Sequence, residues 1–315
     1  MGKLRKTYAR IATIDGIWYE SGGERMENIL ELKDVCKTYP NSDFKLDDIT
    51  FSVPTGSIVG FIGENGAGKT TTMGTVLGTL KKDSGSIKLF GKNITANDIA
   101  QKEKVGAVFD AMNFSENLNV KQLANVMRHI YKQWDEERFF QYVRQFSLPV
   151  KTNIQGFSRG MSMKLSIAVA LSHDAKLLML DEATAGLDPV AREEILDLLL
   201  EYVSNGERAI FLSSHITSDI EKIADELIFI KKGRIMLRVH RNELLQKYAI
   251  IVCKPNEYKH IDHQSIVVYR QKGDVMEVLV SNKHNLPSSM KTIPVSIDDV
   301  SLLIMKGEHN ERSFA

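Results

Sequence analysis

The sequence has no long apolar run, few cysteines and almost no excess of charge. No stretch approaches the ~18 apolar residues of a membrane-spanning helix, and no charged-then-apolar segment marks a signal peptide. Cys36 and Cys253 are the only two cysteines; they give no disulfide framework, which favours a reducing compartment. With 41 basic and 40 acidic residues, the composition predicts a cytosolic protein that does not span a membrane.

A glycine-rich segment at residues 63–70 reads Gly-Glu-Asn-Gly-Ala-Gly-Lys-Thr and matches the phosphate-binding loop of nucleoside triphosphatases in full. It follows a short apolar strand predicted at residues 57–62 and precedes a helix predicted at residues 70–80, which is the context that the loop requires. The structural alternative is a glycine-rich turn that binds nothing. The match predicts that the chain binds a nucleoside triphosphate.

Each residue type in this loop has a task in phosphate binding. Glycines let the backbone turn tightly enough to aim amide N–H groups at phosphate oxygens, and the positive end of the following helix adds to the attraction. Lys69 is expected to reach the β- and γ-phosphates, and the Thr70 hydroxyl to ligate the magnesium ion that bridges them. The predicted nucleotide contacts are Gly63, Glu64, Asn65, Gly66, Ala67, Gly68, Lys69, Thr70 and Thr71.

A second buried strand is predicted at residues 177–182, where an apolar run ends in two acids. Asp181 is placed to hold magnesium through its water shell, and Glu182 is placed to polarise an attacking water. Taken alone, the two acids could open an ordinary solvated loop. Their occurrence with Lys69 on one chain favours the catalytic interpretation.

Between these two sites lies a segment at residues 157–161 that reads Phe-Ser-Arg-Gly-Met and opens a helical stretch predicted at residues 162–171. It resembles the Leu-Ser-Gly-Gly-Gln signature of ABC-type ATPases. The resemblance extends to Ala-Gly-Leu-Asp at residues 185–188, to Ser-Ser-His at residues 213–215 and to Tyr39 upstream of the phosphate loop. Together these motifs cover about residues 26–248, a sensible size for one domain.

The resemblance implies a P-loop NTPase fold in which two ATP molecules lie between two copies of the domain. The phosphate loop of each copy faces the signature of the other. Ser158 and the backbone at Gly160, at a helix N-terminus, would then complete the coordination of the γ-phosphate held by the partner. ATP and Mg²⁺ are the implied cofactors.

Three further roles come from the same resemblance. His215 would hold the γ-phosphate or the attacking water, and Tyr39 would stack on adenine, although lone residues of these types are usually structural. Asp188 would lie at the dimer interface and couple the two sites. Alternatively, Asp188 caps the helix that begins at Pro189, and both interpretations can be true.

Some positions depart from the family pattern. The third and fifth signature residues are Arg159 and Met161, which leaves the Ser and second Gly in place but makes the surroundings more basic. Asp110 stands where most members have Gln. It can bind a cation, so it joins Thr70 and Asp181 as a predicted magnesium ligand, but it adds negative charge near the phosphates. The alternative is that Asp110 points to solvent.

The predicted fold class is α/β, an ABC ATPase with an antiparallel β lobe, a helical subdomain and a small C-terminal α+β appendage. Residues 1–25 form an extension that is either a flexible tail or not native, if Met26 is the biological start. Residues 26–248 form the ATPase domain, with the helical subdomain at about residues 111–174. Residues 249–315 form the C-terminal accessory region, whose balanced charge argues against a nucleic-acid surface.

The predicted function is that of an ATP-hydrolysing subunit of an ABC transporter. It would act as a homodimer, or as a heterodimer with another ABC ATPase, on a separate transmembrane permease at the inner face of the cell membrane. The helical subdomain is the expected permease contact. The motif sequences are similar to those of ATPase subunits of bacterial exporters for antibiotics and antimicrobial peptides.

The alternative is a soluble ABC ATPase that acts on a ribosome or a nucleic-acid machine. Such proteins usually carry a second ATPase domain or a long inserted coiled coil, and neither is found in this sequence. A GTPase is disfavoured because there is no Asn-Lys-x-Asp motif to read guanine.

Overall fold

The computed structural model describes residues 12–14, 17–19, 27–95, 97–110, 114–286 and 290–309. Strands β1 (Ala12–Ile14) and β2 (Ile17–Tyr19) pair antiparallel near the start. The rest of the predicted extension at residues 1–25 lies outside the described residues, as do residues 111–113 of the predicted helical subdomain. No helix in the described parts is long and apolar enough to cross a bilayer.

An antiparallel lobe begins the fold, as predicted. Its strands run in the order β4-β3-β6-β7. They are β3 (Asn28–Tyr39), β4 (Ser42–Pro54), β6 (Ser84–Leu89) and β7 (Lys92–Asn93). Phe51 of β4 packs on Phe61 and Phe211, with ring centroids 5.8 and 5.1 Å apart. Aromatic contacts of this kind join the lobe to the neighbouring sheet.

The central sheet has six strands in the order β12-β11-β5-β10-β9-β8, all parallel except β12. They are β5 (Ile58–Ile62), β8 (Val105–Val108), β9 (Leu177–Asp181), β10 (Ala209–Ser214), β11 (Glu226–Lys231) and β12 (Arg234–His240). Every residue of β5, β9 and β10 is buried, as expected for parallel strands covered on both faces. The carboxyl ends of these three strands meet at one edge of the sheet.

Helices cover both faces of this sheet. They are α1 (Lys69–Leu77), α6 (Pro189–Tyr202), α7 (Thr217–Ile223) and α8 (Arg241–Lys247). The four-residue helix α2 (Ile99–Lys102) precedes β8 and has no buried residue. The sequence predicted that α1 runs to residue 80, and that end point is wrong. Gly78 adopts the left-handed conformation with φ 74°, and its N–H bonds to the Thr75 carbonyl, which terminates α1.

A helical segment follows β8, as predicted. It contains α3 (Val120–Ile130), α4 (Glu136–Gln145) and α5 (Arg159–Ala170), with a short 3₁₀ turn at Ile154–Gly156. Each α-helix begins at a side chain that accepts a backbone N–H: Asn119, Asp135 and Ser158. The last cap explains why α5 begins at Arg159, three residues before the predicted start at residue 162.

The C-terminal region is an α+β unit, as predicted. Its five-stranded antiparallel sheet has the order β16-β13-β15-β14-β17. The elements are β13 (Ala249–Cys253), α9 (Pro255–Tyr258), β14 (Ile266–Lys272), β15 (Val275–Val280), β16 (Thr292–Ile293), α10 (Ile297–Lys306) and β17 (Glu308–His309).

Helix α10 lies between this sheet and the elements α7 and β11 of the central unit. Its apolar face, which includes Val300, Leu303 and Ile304, belongs to the same buried cluster as Ile220 and Ile223 of α7. One hydrophobic core therefore continues from the central sheet into the C-terminal region.

Two neighbouring leucines of α10 test this continuity. Leu303 is 2% exposed and Leu302 is 42% exposed. Leu303→Ala should lower the free energy of unfolding by about 2–5 kcal/mol because it opens a cavity in the shared core. Leu302→Ala is the matched control and should change it by less than about 1 kcal/mol. Equal effects of the two substitutions in chemical denaturation would contradict the continuous core.

Candidate functional site

The candidate site lies where the carboxyl ends of β5, β9 and β10 meet. The phosphate loop follows β5, Asp181 and Glu182 lie at the end of β9, and His215 follows β10. A cavity of about 410 Å³ opens between these segments. Its lining residues are Phe44, Glu64, Asn65, Gly66, Gly68, Lys69, Thr70, Thr71, Asp110, Asp181 and Glu182.

The phosphate loop wraps around the Lys69 side chain. Gly68 has φ 115°, a conformation that strains any residue with a Cβ. Lys69 is 6% exposed, and its Nζ donates to the carbonyls of Gly63 at 2.7 Å and Glu64 at 3.3 Å. The loop thus presents a buried positive charge, followed at once by the N-terminus of α1, and this combination attracts phosphate oxygens.

Asp181 links the loop to the two strands beside it. Its Oδ2 accepts a hydrogen bond from Thr70 Oγ1 at 2.5 Å, and its Oδ1 accepts one from Ser213 Oγ. In the described residues, no group of three or more His, Cys, Asp or Glu could enclose a metal ion. A hydroxyl and one carboxylate next to a phosphate cradle nevertheless suit Mg²⁺, which prefers oxygen ligands and keeps several waters.

The Glu182 carboxylate lies at the centre of the site. Oε2 accepts the backbone N–H of His215 at 3.1 Å and lies 2.5 Å from His215 Nδ1. A carboxylate oxygen only accepts, so the imidazole proton is on Nδ1. Oε1 is buried without a hydrogen bond, although Lys69 Nζ lies 3.3 Å away as an ion pair. One oxygen thus contacts the histidine, and the other is paired with Lys69 but accepts no hydrogen bond.

Backbone strain accompanies this position. Glu182 has φ 55°, which is uncommon for a residue with a side chain. Its N–H donates to the Ser213 carbonyl at 3.1 Å, so the neighbouring strand holds the strained residue in place. Strain of this kind is concentrated at functional sites.

The signature residues lie outside this cavity. Ser158 caps α5, its Oγ accepting the Met161 N–H at 3.2 Å, and Gly160 lies in the first turn. Neither is among the residues that line the cavity around Lys69. Within one chain, Ser158 and Gly160 therefore do not line the cavity around Lys69, although Arg159 between them contacts the lining residue Asp110.

Asp188 acts as a helix cap, which was one of its two predicted roles. Its Oδ1 accepts the N–H groups of Val190 at 3.1 Å and Ala191 at 3.0 Å. The bond from Ala191, followed by that from Val190, lowers the pKa of Asp188 below its ordinary value. The interface role of Asp188 stays a prediction.

The two unusual family positions contact each other. The Arg159 guanidinium donates to the Asp110 carboxylate in an ion pair whose side chains are about half exposed. Asp110 also lines the cavity with Thr70 and Asp181, so it is close to the predicted metal ligands and is neutralised by Arg159. The sequence offered a signal for this pair, because an acidic and a basic departure occurred together.

An aromatic residue of the site was missed. Phe44 lines the cavity, whereas Tyr39 does not. The Tyr39 ring lies 6.3 Å from that of Phe44, and Lys37 Nζ lies 5.0 Å from the Tyr39 ring centroid. Both aromatics flank the hairpin between β3 and β4, so a second ring near Tyr39 was the available signal. The adenine-stacking role of Tyr39 stays a prediction.

Known proteins resemble this chain along most of its length. A sequence profile described as "ABC transporter" matches residues 46–185. The chain is 33% identical to the bacitracin transport ATP-binding protein BcrA of Bacillus licheniformis, over 79% of this chain and 81% of that protein. It is 29% identical to the uncharacterized ABC transporter ATP-binding protein YhcH of Bacillus subtilis (strain 168), over 91% and 98% respectively.

A solved structure is also similar to this chain. It is described as the ATP binding subunit of an ABC transporter and is 27% identical to this chain. The two superpose with a TM-score of 0.64 over 69% of this chain and 91% of that one.

The Arg159–Asp110 pair generates a prediction about magnesium. Arg159→Gln leaves the Asp110 carboxylate unpaired beside the cavity. This negative charge should repel the phosphates of ATP until a bound cation screens it. The Mg²⁺ concentration that gives half-maximal ATPase activity should therefore rise. A rise of up to about fivefold is expected, since exposed ion pairs contribute at most about 1 kcal/mol. Asp110→Gln should lower the requirement and raise basal activity, and the double variant should behave like Asp110→Gln.

Arg128→Gln is the matched control for this titration. Arg128 is as exposed as Arg159 and forms a similar ion pair with Glu136 on the helical segment, but neither residue lines the cavity. Magnesium titrations that coincide for the wild type and Arg159→Gln would show that the pair does not influence the site.

Proposed function

The chain belongs to the family of ABC transporter ATP-binding proteins, and from this premise we propose that it powers the export of a drug or an antimicrobial peptide. ATP binding and hydrolysis are the activity of the family. The observation that carries the catalytic part of the proposal is the Glu182 carboxylate, held between Lys69 and His215. The residue roles below are part of the proposal.

In the proposed mechanism, Glu182 and the residues around it have different roles. Lys69 and the loop amides bind and orient the phosphates of ATP. Glu182 Oε1, which is buried and accepts no hydrogen bond, takes the proton of the attacking water as general base. His215 donates from Nδ1 to Oε2, so its Nε2 is the nitrogen left for the substrate. It would accept a hydrogen bond from the attacking water, or donate one to the γ-phosphate when the ring carries a second proton.

Mg²⁺ would be held by Thr70 and Asp181, whose oxygens already lie 2.5 Å apart. When bound, the ion neutralises charge that develops on the phosphate oxygens during transfer. Asp110 is the third proposed ligand. Its ion pair with Arg159 would have to open for it to contact the ion directly.

A dimer is proposed because Ser158 and Gly160 do not line the cavity around Lys69 of the same chain. Ser158 and the Gly160 backbone would contact ATP held by the Lys69 loop of a partner, which is either a second copy or another ABC ATPase. Asp188, at the start of α6, would lie at the same interface. ATP would join the two subunits, and hydrolysis would separate them.

The permease contact is proposed on the helical segment. Helix α3 buries Val120, Leu123 and Ala124 but exposes Val126 and Ile130, which are 38% and 58% accessible. These two side chains are four positions apart and therefore lie on one helix face. Attached in this way to a separate transmembrane permease, the chain would be peripheral on the inner face of the membrane.

The substrate class comes from relatives. BcrA is named as a bacitracin transport protein, and the similarity to it extends over most of both chains. Antimicrobial peptides of the bacitracin class are therefore the proposed cargo, with outward transport.

A mixing experiment tests the composite sites. Ser158→Arg should impair one half of each site by placing bulk and charge at the signature, and Lys69→Ala should impair the other half by removing the phosphate-binding charge. Mixed dimers have one doubly impaired site and one intact site, so ATPase activity should partly recover. Mixtures that form dimers but remain as inactive as the parents would argue against sites shared between chains.

A cellular assay tests export. Cells that produce the chain with its own permease should tolerate a bacitracin-class peptide at several-fold higher concentration than cells with the permease and Glu182→Gln. The amide keeps the shape of the side chain but cannot serve as a base, so ATP binding is retained while turnover is lost. Equal tolerance with both chains would argue against peptide export, and co-purification with ribosomal proteins instead of a permease would favour the non-transport alternative.

A further inference from the structure

Helix α7 begins directly after His215 without the usual local support. Its N-cap residue is Ile216, which has no side-chain hydrogen-bonding group, and no side chain of the cap accepts a helix N–H. Helix starts are normally fixed by Ser, Thr, Asp or Asn at this position. Ser214 Oγ accepts the Ile216 N–H at 2.9 Å and supports the turn around His215. The first turn of α7 itself must therefore be fixed by contacts with other elements.

The C-terminal helix supplies such a contact. Thr217 is the first residue of α7, is 8% exposed and lies two positions after His215. Its Oγ1 donates a hydrogen bond to the carboxylate of Asp298, in the first turn of α10. This bond joins residues 81 positions apart in the sequence, so it connects the histidine segment to the last helix of the chain.

Helix α10 is itself held at its other end. Lys231, the last residue of β11, donates from Nζ to the carbonyls of Ile304 at 2.9 Å and Gly307 at 2.8 Å. The apolar face between the two ends is buried against α7 and β11. Asp298 is thus carried by a helix that cannot easily shift relative to the central sheet.

The opposite side of α7 contacts the helix that Asp188 caps. Asp219 of α7 is 1% exposed, and its Oδ2 lies 3.8 Å from Nε of Arg192 in α6. Helix α7 is therefore held between α6 and α10, with His215 at its free end facing Glu182.

We propose that Asp298 is a positioning residue for ATP hydrolysis, which acts through Thr217 to fix the start of α7 and so the approach of His215 to Glu182. This inference rests on the role proposed above for His215. It gives the C-terminal region a function in the ATPase cycle of this chain. Glu182 fixes the histidine from one side, and Asp298 fixes the segment that follows it from the other.

The test compares variants of the two bonded residues in the full-length chain. Thr217→Val removes the hydroxyl at constant shape, and Asp298→Ala removes the acceptor. Each should lower kcat for ATP by about tenfold, close to the lower limit for the loss of one hydrogen bond to a charged group, with KM unchanged because the phosphate loop is untouched. The double variant should be no worse than either single variant, since both remove the same bond.

Two conservative variants, and a substitution of the neighbouring Asp299, distinguish an effect on the position of His215 from an effect on the stability of the fold. Thr217→Ser and Asp298→Asn keep a donor and an acceptor, so both should retain most of the wild-type kcat. Asp299→Ala removes the same charge from the same helix turn, where Asp299 accepts a hydrogen bond from Ser296 Oγ, and should leave kcat unchanged. The proposal is overturned if Asp298→Ala changes only the melting temperature, if Asp299→Ala lowers kcat equally, or if the two single effects add.

His215→Ala distinguishes a failure of the positioning role of Asp298 from a failure of the role proposed for His215. It should abolish turnover while ATP binding persists. If it is inactive but Thr217→Val and Asp298→Ala keep wild-type kcat, the positioning role fails and the role of His215 stands. If His215→Ala hydrolyses ATP at the wild-type rate, the role of His215 fails, and the route from Asp298 through it is overturned as well.

Discussion

The carboxylate of Glu182 is the interaction on which the site depends. It joins the ends of three parallel strands, because Lys69 follows β5, Glu182 follows β9 and His215 follows β10. The three groups can meet only because the strands are buried, parallel and in fixed register. The positive φ of Glu182 is a local cost that the surrounding hydrogen bonds offset. Much of the domain can therefore be understood as a scaffold that keeps one side chain in an unfavourable but useful conformation.

Sequence reasoning succeeded where short-range chemistry dictates the result. The phosphate loop, the buried strand before it and the acid pair after β9 each follow from local residue types, and the predicted α/β class with its β lobe and C-terminal appendage is confirmed. Errors occurred at helix ends. Gly78 terminates α1 before the predicted end, and Ser158 starts α5 before the predicted start. In both cases the composition of the helix was interpreted correctly, but the capping chemistry decides where it ends.

Contacts between distant residues were not predicted from the sequence. The pairing of Asp110 with Arg159 joins positions 49 apart, and that of Thr217 with Asp298 joins positions 81 apart. Phe44 was missed for a similar reason, because its place in the cavity depends on how the β lobe packs on the sheet. A sequence pattern gives the chemical capacity of each residue, whereas the neighbour of that residue follows only from the assembled core.

The shared core around α10 also has a consequence for the order in which the chain folds. Helix α7 can complete its apolar packing only when α10 is present, and α10 lies more than 70 residues further along the chain, at Ile297–Lys306. During synthesis from the N-terminus, the phosphate loop and the acid strand therefore emerge well before the helix that stabilises the histidine segment. Under the roles proposed above, all strands that carry the phosphate loop and the acid pair would be synthesised before the contact that positions His215, so the geometry for hydrolysis would be the last part of the site to form.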